Sequence, residues 1–411
     1  MSQLYPPEPA TMRHQMAKDL LARKHDVRAI TAFPNYPFGR IYAGYRQSLW
    51  ARDTVDGADI VRVPIYPNHG HSAIGRACCY LSFALSASIL GPFFGGKPDV
   101  IWAYQPPLTV GIPALWISLL RRVPLVYEVQ DLWPETLAST GMMRSNLGFR
   151  MLSAFAMLVY RRSSAIVVPS PGMKKNIVAK GVPDCKVHVI PNWADEEIYK
   201  PVPPDPQLAA EHGLSGKFNV VFAGNLGAAQ GLETILGAAE QLSDHPDIQF
   251  VLIGDGSEKT RVMTQVVERG LTNVVLVGQQ PAARMPAFFA LADVLLVHLR
   301  RDPLFEIMVP AKTQSYLACG KPILMGVAGD AAALIDETGA GLTCQQEDPQ
   351  DMAASIARFR DMPAEERLRM GTRGRRAFEE QFCRSILVER YEELFSRIGD
   401  IGDRMANELS D

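Results

Sequence analysis

Short apolar strands alternate with helical segments through both halves of this chain, and that alternation leaves few folds open: α/β, with parallel sheets covered by helices on both faces. The first half places strands near 27–31, 60–63, 100–103, 125–129, 165–169 and 187–190. The second half places them near 219–223, 249–253, 274–277, 294–298, 322–325 and 341–344. At 411 residues the chain exceeds what one hydrophobic core usually supports, so two sheets in two domains are expected. Residues 196–217 (EEIYKPVPPDPQLAAEHGLSGK) carry four prolines and two glycines without sustained periodicity, and they read as the connection. The expected division is 1–198 and 199–384, with a terminal helix over 385–411 packing back on the first domain.

Composition narrows the partners. A net charge of -2 gives no reason to expect nucleic acid. The six cysteines are scattered without metal-ligand spacing, which suits reduced thiols in a cytoplasm. Residues 1–9 (MSQLYPPEP) lack the basic start and apolar core of a secretory signal, so a cytoplasmic location is expected. Residues 77–96 (ACCYLSFALSASILGPFFGG) run without a charge for long enough to cross a bilayer. Three serines, three glycines and Pro92 favour instead a helix packed on a sheet. The alternative is an apolar helix resting on a membrane surface.

Several segments carry chemistry. Residues 275–321 read as the ligand-facing end of a sheet: a helix over 284–292, an apolar strand, then a polar loop with Arg300, Arg301 and Glu306. Pro310 is expected to open a helix whose first turn carries Lys312 and Thr313, and such a start offers backbone N–H groups and a positive dipole end to an anion. The plain alternative is a helix start with a solvated lysine. The turn FAGNLG (222–227) follows a strand, and Gly224 and Gly227 let a loop approach a phosphate closely; otherwise it is a tight turn that binds nothing. IGDGS (253–257) repeats the design one strand later, which would gather both turns at one sheet edge. Neither G-x-G-x-x-G nor G-x-x-x-x-G-K-[ST] occurs, so nicotinamide and P-loop chemistry lose ground. In the first half DLWPE (131–135) ends a strand, and Glu128, Gln130, Asp131 and Glu135 gather carboxylates that can orient a sugar hydroxyl or take its proton. The alternative for Asp131 is a helix cap. The loops YPPEP (5–9) and AFPNYPFGR (32–40) read as walls of a binding region, and PNWAD (191–195) as a hinge.

The order of YPPEP, TAFPNYPFGRIYAGYR, VQDLWPE, VIPNWAD, FAGNLGAAQGLE, IGDG, ADVLL and VPAKTQSYLACGKPIL resembles the bacterial family-four retaining glycosyltransferases of the GT-B fold. Within that family it is most similar to the branch that assembles O-antigen, capsule and colanic-type polysaccharides, N-acetyl-L-fucosamine transferases included. The resemblance runs from about residue 2 to residue 396 and implies two Rossmann-like, doubly wound parallel-sheet domains facing a cleft. It also implies transfer, with retention, of a sugar from a nucleotide sugar, most often a UDP sugar, to a lipid-linked saccharide. The second domain would hold the donor and the first the acceptor. No metal or other cofactor is implied, because helix amides and basic side chains neutralise the leaving diphosphate.

By position, the resemblance assigns Gly224, Asn225 and Gly227 to the diphosphate loop, Gly254 and Gly256 to the nucleotide, and Gly278 with Gln279 to the base. Pro310, Lys312 and Thr313 would face diphosphate and donor sugar. The E-x7-E pattern of many relatives is degenerate here. Ser315 stands where its second Glu belongs and Ile307 where its first belongs, with Glu306 one residue away. Gln230 replaces a lysine and Gln130 a histidine. Arg300, Arg301 and Lys312 are then the cations left for the diphosphate, Lys312 foremost, and Asp131, Glu306 and Lys312 are the catalytic candidates. Similar chains open on an apolar strand, whereas only Met1 precedes Ser2 here, so that strand is missing or reduced to residues 3–5. Arg121, Arg122, Arg144, Arg150, Arg161, Arg162, Lys174 and Lys175, together with residues 77–96, suggest reversible attachment to the inner membrane face. Two rival readings share the layout: a UDP-sugar epimerase and a non-catalytic nucleotide-sugar-binding subunit.

Overall fold

A computed structural model describes residues 1–9, 11–70, 72–139 and 145–408, the side chains of 401–408 excepted; Arg144 lies outside the described residues. The chain forms two compact units, Met1–Ile190 with Val388–Asp411, and Pro191–Leu387. The sequence reading puts the divisions at 198/199 and 384/385. The last helix, Arg384–Glu408, begins in the second unit and from Val388 belongs to the first.

The first unit holds two sheets. Strands β1 (Arg28–Ala32), β2 (Ala51–Val55) and β3 (Ala58–Val63) pair in the order β1-β3-β2, and β4 (Ile101–Tyr104), β5 (Leu125–Glu128), β6 (Ala165–Val168) and β7 (Val187–Val189) pair in chain order, all parallel. Strand β2 corrects the expectation of purely parallel sheets, because it runs antiparallel to β3. Its sequence, ARDTV, is partly exposed and lacks an apolar run. The available signal was the Asp56-Gly57 turn, whose two positive φ values (47° and 86°) suit the hairpin type that follows strand twist.

Met1–Gln3 lies between the two sheets. Ser2 N donates to Ile30 O (3.2 Å) and Ala32 N to Gln3 O (3.2 Å) on one side, while Tyr104 N donates to Met1 O (2.9 Å) on the other. The bridging segment is thus 1–3 rather than 3–5, and it occupies backbone groups that would otherwise face each other unpaired.

In the second unit six parallel strands, β8 (Phe218–Ala223), β9 (Ile248–Ile253), β10 (Val274–Gly278), β11 (Val294–His298), β12 (Ile323–Gly326) and β13 (Gly341–Thr343), form one sheet. Their order is β10-β9-β8-β11-β12-β13. Strands β8, β9 and β11 are buried along their whole length. Alternate side chains enter two separate cores: Val221, Val251, Leu295, Ile323 and Met325 on one face, Val220, Phe222, Phe250, Leu296 and Leu324 on the other. Burial on both faces is why these strands read as unbroken apolar runs. The order reverses between β8 and β11, and ligands of open α/β sheets bind outside the strand ends at such a switch point.

Candidate functional site

Three glycine turns meet at the carboxyl ends of β8, β9 and β10. Gly224 N donates to Ile253 O (2.9 Å), Gly254 N to Gly278 O (3.0 Å) and Leu226 N to Asp255 O (2.8 Å), so each turn is tied to the next. The glycines are needed for that contact. Gly254 has φ +149°, and a Cβ there would lie 1.8 Å from Gly224 O. A Cβ at Gly256 would lie 2.5 Å from both Asn225 Oδ1 and the Leu226 carbonyl, and one at Gly227 would lie 2.6 Å from Asn225 Nδ2. Gly254, Gly256 and Gly227 therefore serve loop-on-loop packing, with the Asn225 amide held between Gly227 and Gly256. Gly224 and Asn225 form the exposed part of the first turn. A Cβ at Gly278, φ +80°, would meet nothing within 4 Å.

Lys312 reaches this turn from the other side of the switch point. A Cβ added to Gly224 would stand 3.1 Å from its Nζ. The ammonium lies 3.8 Å from the centroid of the Phe222 ring and donates to Gln230 Oε1 at 2.8 Å. Although the residue keeps some exposure, burial of its head pushes the Lys312 pKa down to about 7. Neighbouring charges contribute nothing to that shift, so no described carboxylate compensates this cation. Its helix, Lys312–Ala318, is held in place by the fully buried Tyr316, whose hydroxyl accepts from Ala223 N (2.9 Å) and donates to Ala223 O (3.2 Å). The residue next to Gly224 and the helix bearing Lys312 are thus one packed assembly.

The expected helix start is corrected. Pro310 precedes the helix, which begins at Lys312, and Thr313 N donates back to Pro310 O (2.9 Å) instead of pointing at an anion. Thr313 itself is completely buried. Ser315 shares a hydrogen bond with the Tyr199 hydroxyl. The Arg301 guanidinium is drawn away, its Nε donating to Gln346 O (3.0 Å). Arg300 stays at the site: its N donates to Ala229 O (2.9 Å), its Cγ approaches Gly231, and its exposed head has no polar partner among the described residues. Glu306 ends the helix Pro303–Glu306, is exposed, and likewise has no side-chain partner among the described residues. Its carbonyl packs so tightly on Gly329 that a Cβ there would lie 1.9 Å away.

Sequence reasoning missed His298, the last residue of β11. It is fully buried, with Nδ1 2.8 Å from Gln230 O, and Nε2 accepts from Glu347 N at 3.3 Å. Those partners make it a neutral imidazole protonated on Nδ1, and burial pushes its pKa below the ordinary value. Its ring fits only because 231 and 326 are glycines, where a Cβ would come within 2.6 and 2.7 Å. His298 therefore orients Gln230, the one hydrogen-bond acceptor on the Lys312 ammonium among the described residues.

In the first unit the carboxylates gathered after β5 separate into different roles. Glu128 turns inward, accepts from Trp102 Nε1 and Gln130 Nε2 (both 2.7 Å) and from Tyr391, and burial raises its pKa to about 7. Glu135 pairs with Lys180. Asp131 is only partly buried, has no side-chain partner among the described residues and does not cap a helix; burial raises its carboxyl above the usual range. It is the carboxylate left for a ligand. The YPPEP and AFPNYPFGR loops are joined through Glu8, which accepts from Asn35 N and Tyr36 N (both 2.8 Å), and Asn35 Oδ1 in turn meets His69 Nε2 at 2.9 Å. The Gln105 side chain, at the end of β4, is buried without a partner among the described residues.

Residues 9–193 match the family described as glycosyl transferase 4-like domain, and residues 205–377 match glycosyl transferases group 1. Among curated relatives, "Putative colanic acid biosynthesis glycosyl transferase WcaI" of Escherichia coli (strain K12) is 28% identical over 357 residues, covering 84% of this chain and 86% of its own. "Probable glycosyltransferase WbjE" of Pseudomonas aeruginosa is 30% identical over 266 residues, 64% of each chain. Among solved structures, HepE of Anabaena in complex with UDP aligns with a TM-score of 0.69 at 17% identity, covering 96% of this chain and 98% of that one. At that identity the likeness concerns the fold, which is GT-B.

Proposed function

The chain is a group 1 glycosyltransferase with a glycosyl transferase 4-like first half, and from that premise we propose that it moves a sugar from a UDP sugar to a lipid-linked saccharide during assembly of a bacterial surface polysaccharide. The donor sugar in this reading is an N-acetylated deoxyhexosamine, and the anomeric configuration is retained.

The observation that carries the proposal is the uncompensated Lys312 ammonium at the switch point, beside Gly224 and above the Phe222 ring. A buried cation without a carboxylate is costly, and a diphosphate arriving at the Gly224 turn supplies the missing charge. Arg300, exposed next to Gly231, adds a second cation to the developing negative charge on the leaving UDP. With those groups in place the reaction needs no metal. In the first unit Asp131 is the carboxylate that orients the acceptor hydroxyl or takes its proton. Glu306 is assigned to the donor sugar, where its exposed, unpartnered carboxylate is free to accept a hydroxyl.

A thermal-shift series with UDP, GDP, dTDP and ADP sugars in chelator tests the donor, since a ligand that binds only the native state raises the melting temperature. The UDP sugars should give the largest shift without added metal. Equal shifts from all four bases, or a strict demand for magnesium or manganese, would refute the reading.

A further inference from the structure

Helix Ala73–Phe94 inverts the usual pattern of a surface helix. Its inner side buries Cys79, Phe83, Ala84, Ala87, Gly91 and Pro92 in the first unit. Its outer stripe is also apolar: Ile74, Leu81, Leu85, Ile89 and Phe93 are 78, 55, 64, 55 and 77% exposed. The serines do not make a polar face. Ser82 Oγ donates to Cys79 O (2.9 Å) and accepts from Tyr66 N (2.8 Å), Ser86 Oγ donates to Ser82 O (2.9 Å) and also meets Pro64 O, and Ser88 Oγ donates to Ala84 O (2.7 Å), so each hydroxyl is already partnered within the protein. A helix in contact with water would carry polar groups on this side.

The apolar surface continues onto the neighbouring helices. Between Ala73–Phe94 and Gly111–Arg121 runs a groove of about 770 Å³, walled by Leu85, Ile89, Phe93, Trp116 and Leu120, with Ser88 its one polar lining residue. Helix Asn146–Arg162 packs on Gly111–Arg121 and exposes Leu147, Met151 and Leu158. Not one Asp or Glu occurs in these three helices, which carry Arg76, Arg121, Arg150, Arg161 and Arg162, although the whole chain has a net charge of -2.

We infer that this three-helix face docks on an anionic lipid bilayer, with helix Ala73–Phe94 lying in the interfacial plane and its outer stripe among the acyl chains. An apolar face built on helices that carry arginines and no carboxylate fits anionic headgroups above a hydrocarbon layer. A second copy of the chain fits less well, because in a two-fold contact through this face the same helices meet and they offer no carboxylate to their own arginines. Spanning is opposed by the inner side of the helix, whose Cys79, Phe83, Ala87 and Gly91 are already buried within the unit. The inference gives the lipid-linked acceptor reading a location, but the flotation that tests it needs neither donor nor acceptor.

Flotation of the full chain with vesicles of phosphatidylglycerol and phosphatidylcholine, against phosphatidylcholine alone, reads the docking directly. Binding is expected only with the anionic vesicles, reversed by high salt and by alkaline carbonate. The exposed pair Leu85→Glu and Ile89→Glu should lower bound protein by roughly tenfold or more while leaving the melting temperature and the nucleotide-sugar shift unchanged. No flotation at low salt, unaltered flotation of the double variant, or a wild-type dimer broken by the same substitutions would overturn the inference; carbonate-resistant binding would overturn it in favour of a span. Failed flotation with intact sugar transfer would remove this inference alone, and flotation without transfer would leave it standing while removing the other.

Discussion

Replacing Lys312 by Met should make the free protein more stable and, in the same substitution, sharply reduce its stabilisation by a nucleotide sugar. Burial holds the Lys312 pKa near 7 against an ordinary 10.5. At about 1.4 kcal/mol per unit, keeping the ammonium charged in the folded state below pH 7 costs at most about 5 kcal/mol. Part of the side chain is exposed, so solvent screening reduces this to about 1–3 kcal/mol. Met retains the packing over Phe222 and removes the charge. For a chain of this size that gain raises the melting temperature by a few degrees, roughly 2–4 °C per kcal/mol. The sign with pH follows from proton counts. Between about 7 and 10.5 the unfolded chain keeps the lysine proton and the folded chain has given it up, so wild-type stability rises with pH across that window. Lys312→Met lacks the rise, and the gap between the two proteins should be widest at or below pH 7 and close toward pH 10. Donor binding runs the other way, because the diphosphate needs the charged form. Affinity for a UDP sugar, whose phosphates do not titrate here, should fall up to about tenfold per pH unit above 7. Calorimetric melting and titration at several pH values measure both trends. A destabilised Lys312→Met protein, or a dissociation constant constant from pH 7 to about 9, would refute the reasoning.

Three further outcomes are expected. Gly254→Ala should cost about 2 kcal/mol or more and weaken donor binding with it, since its Cβ would fall on Gly224 O at a φ that favours glycine; chemical denaturation and the donor shift read the two effects. Glu306→Gln should lower turnover less than Lys312→Ala, for which a loss of about 1.5–3 kcal/mol in kcat/KM is expected from a hydrogen bond to a charged group; steady-state kinetics decides, and the reverse order would move the main role to Glu306. His298→Ala should destabilise by about 1–3 kcal/mol through the Gln230 carbonyl and Glu347 amide it leaves unpaired. Because burial depresses the His298 pKa below 6.5, its contribution is present above that value and is lost as pH falls below it, so wild type and variant should converge on acidification.

Apart from β2, the strands of both units were legible in the sequence because a run such as VLLVH or NVVFA is a local signal, and burial on both sheet faces leaves no other composition. The glycine turns were legible for the same reason: each sits directly after such a run. What the sequence left open was which distant groups meet. Ser315 and Glu306 could be aligned by spacing, yet spacing could not say that Ser315 hydrogen-bonds Tyr199 or that Glu306 remains unpartnered. Glu128 and Asp131 are three positions apart and looked equivalent, but β5 points one into Trp102 and Tyr391 and leaves the other partly exposed. Gly254 reads in the sequence as a glycine of a nucleotide-binding turn, and only the structure adds that the Gly224 carbonyl would stand 1.8 Å from its Cβ. Strand β2 escaped because a partly exposed edge strand has no apolar run to announce it, only its turn. Residue type and local periodicity determined the elements and their order along the chain. Burial, pKa and partnership are sums over residues far apart in sequence, so the tertiary structure alone decided that Lys312 is a buried, uncompensated cation facing the Gly224 turn.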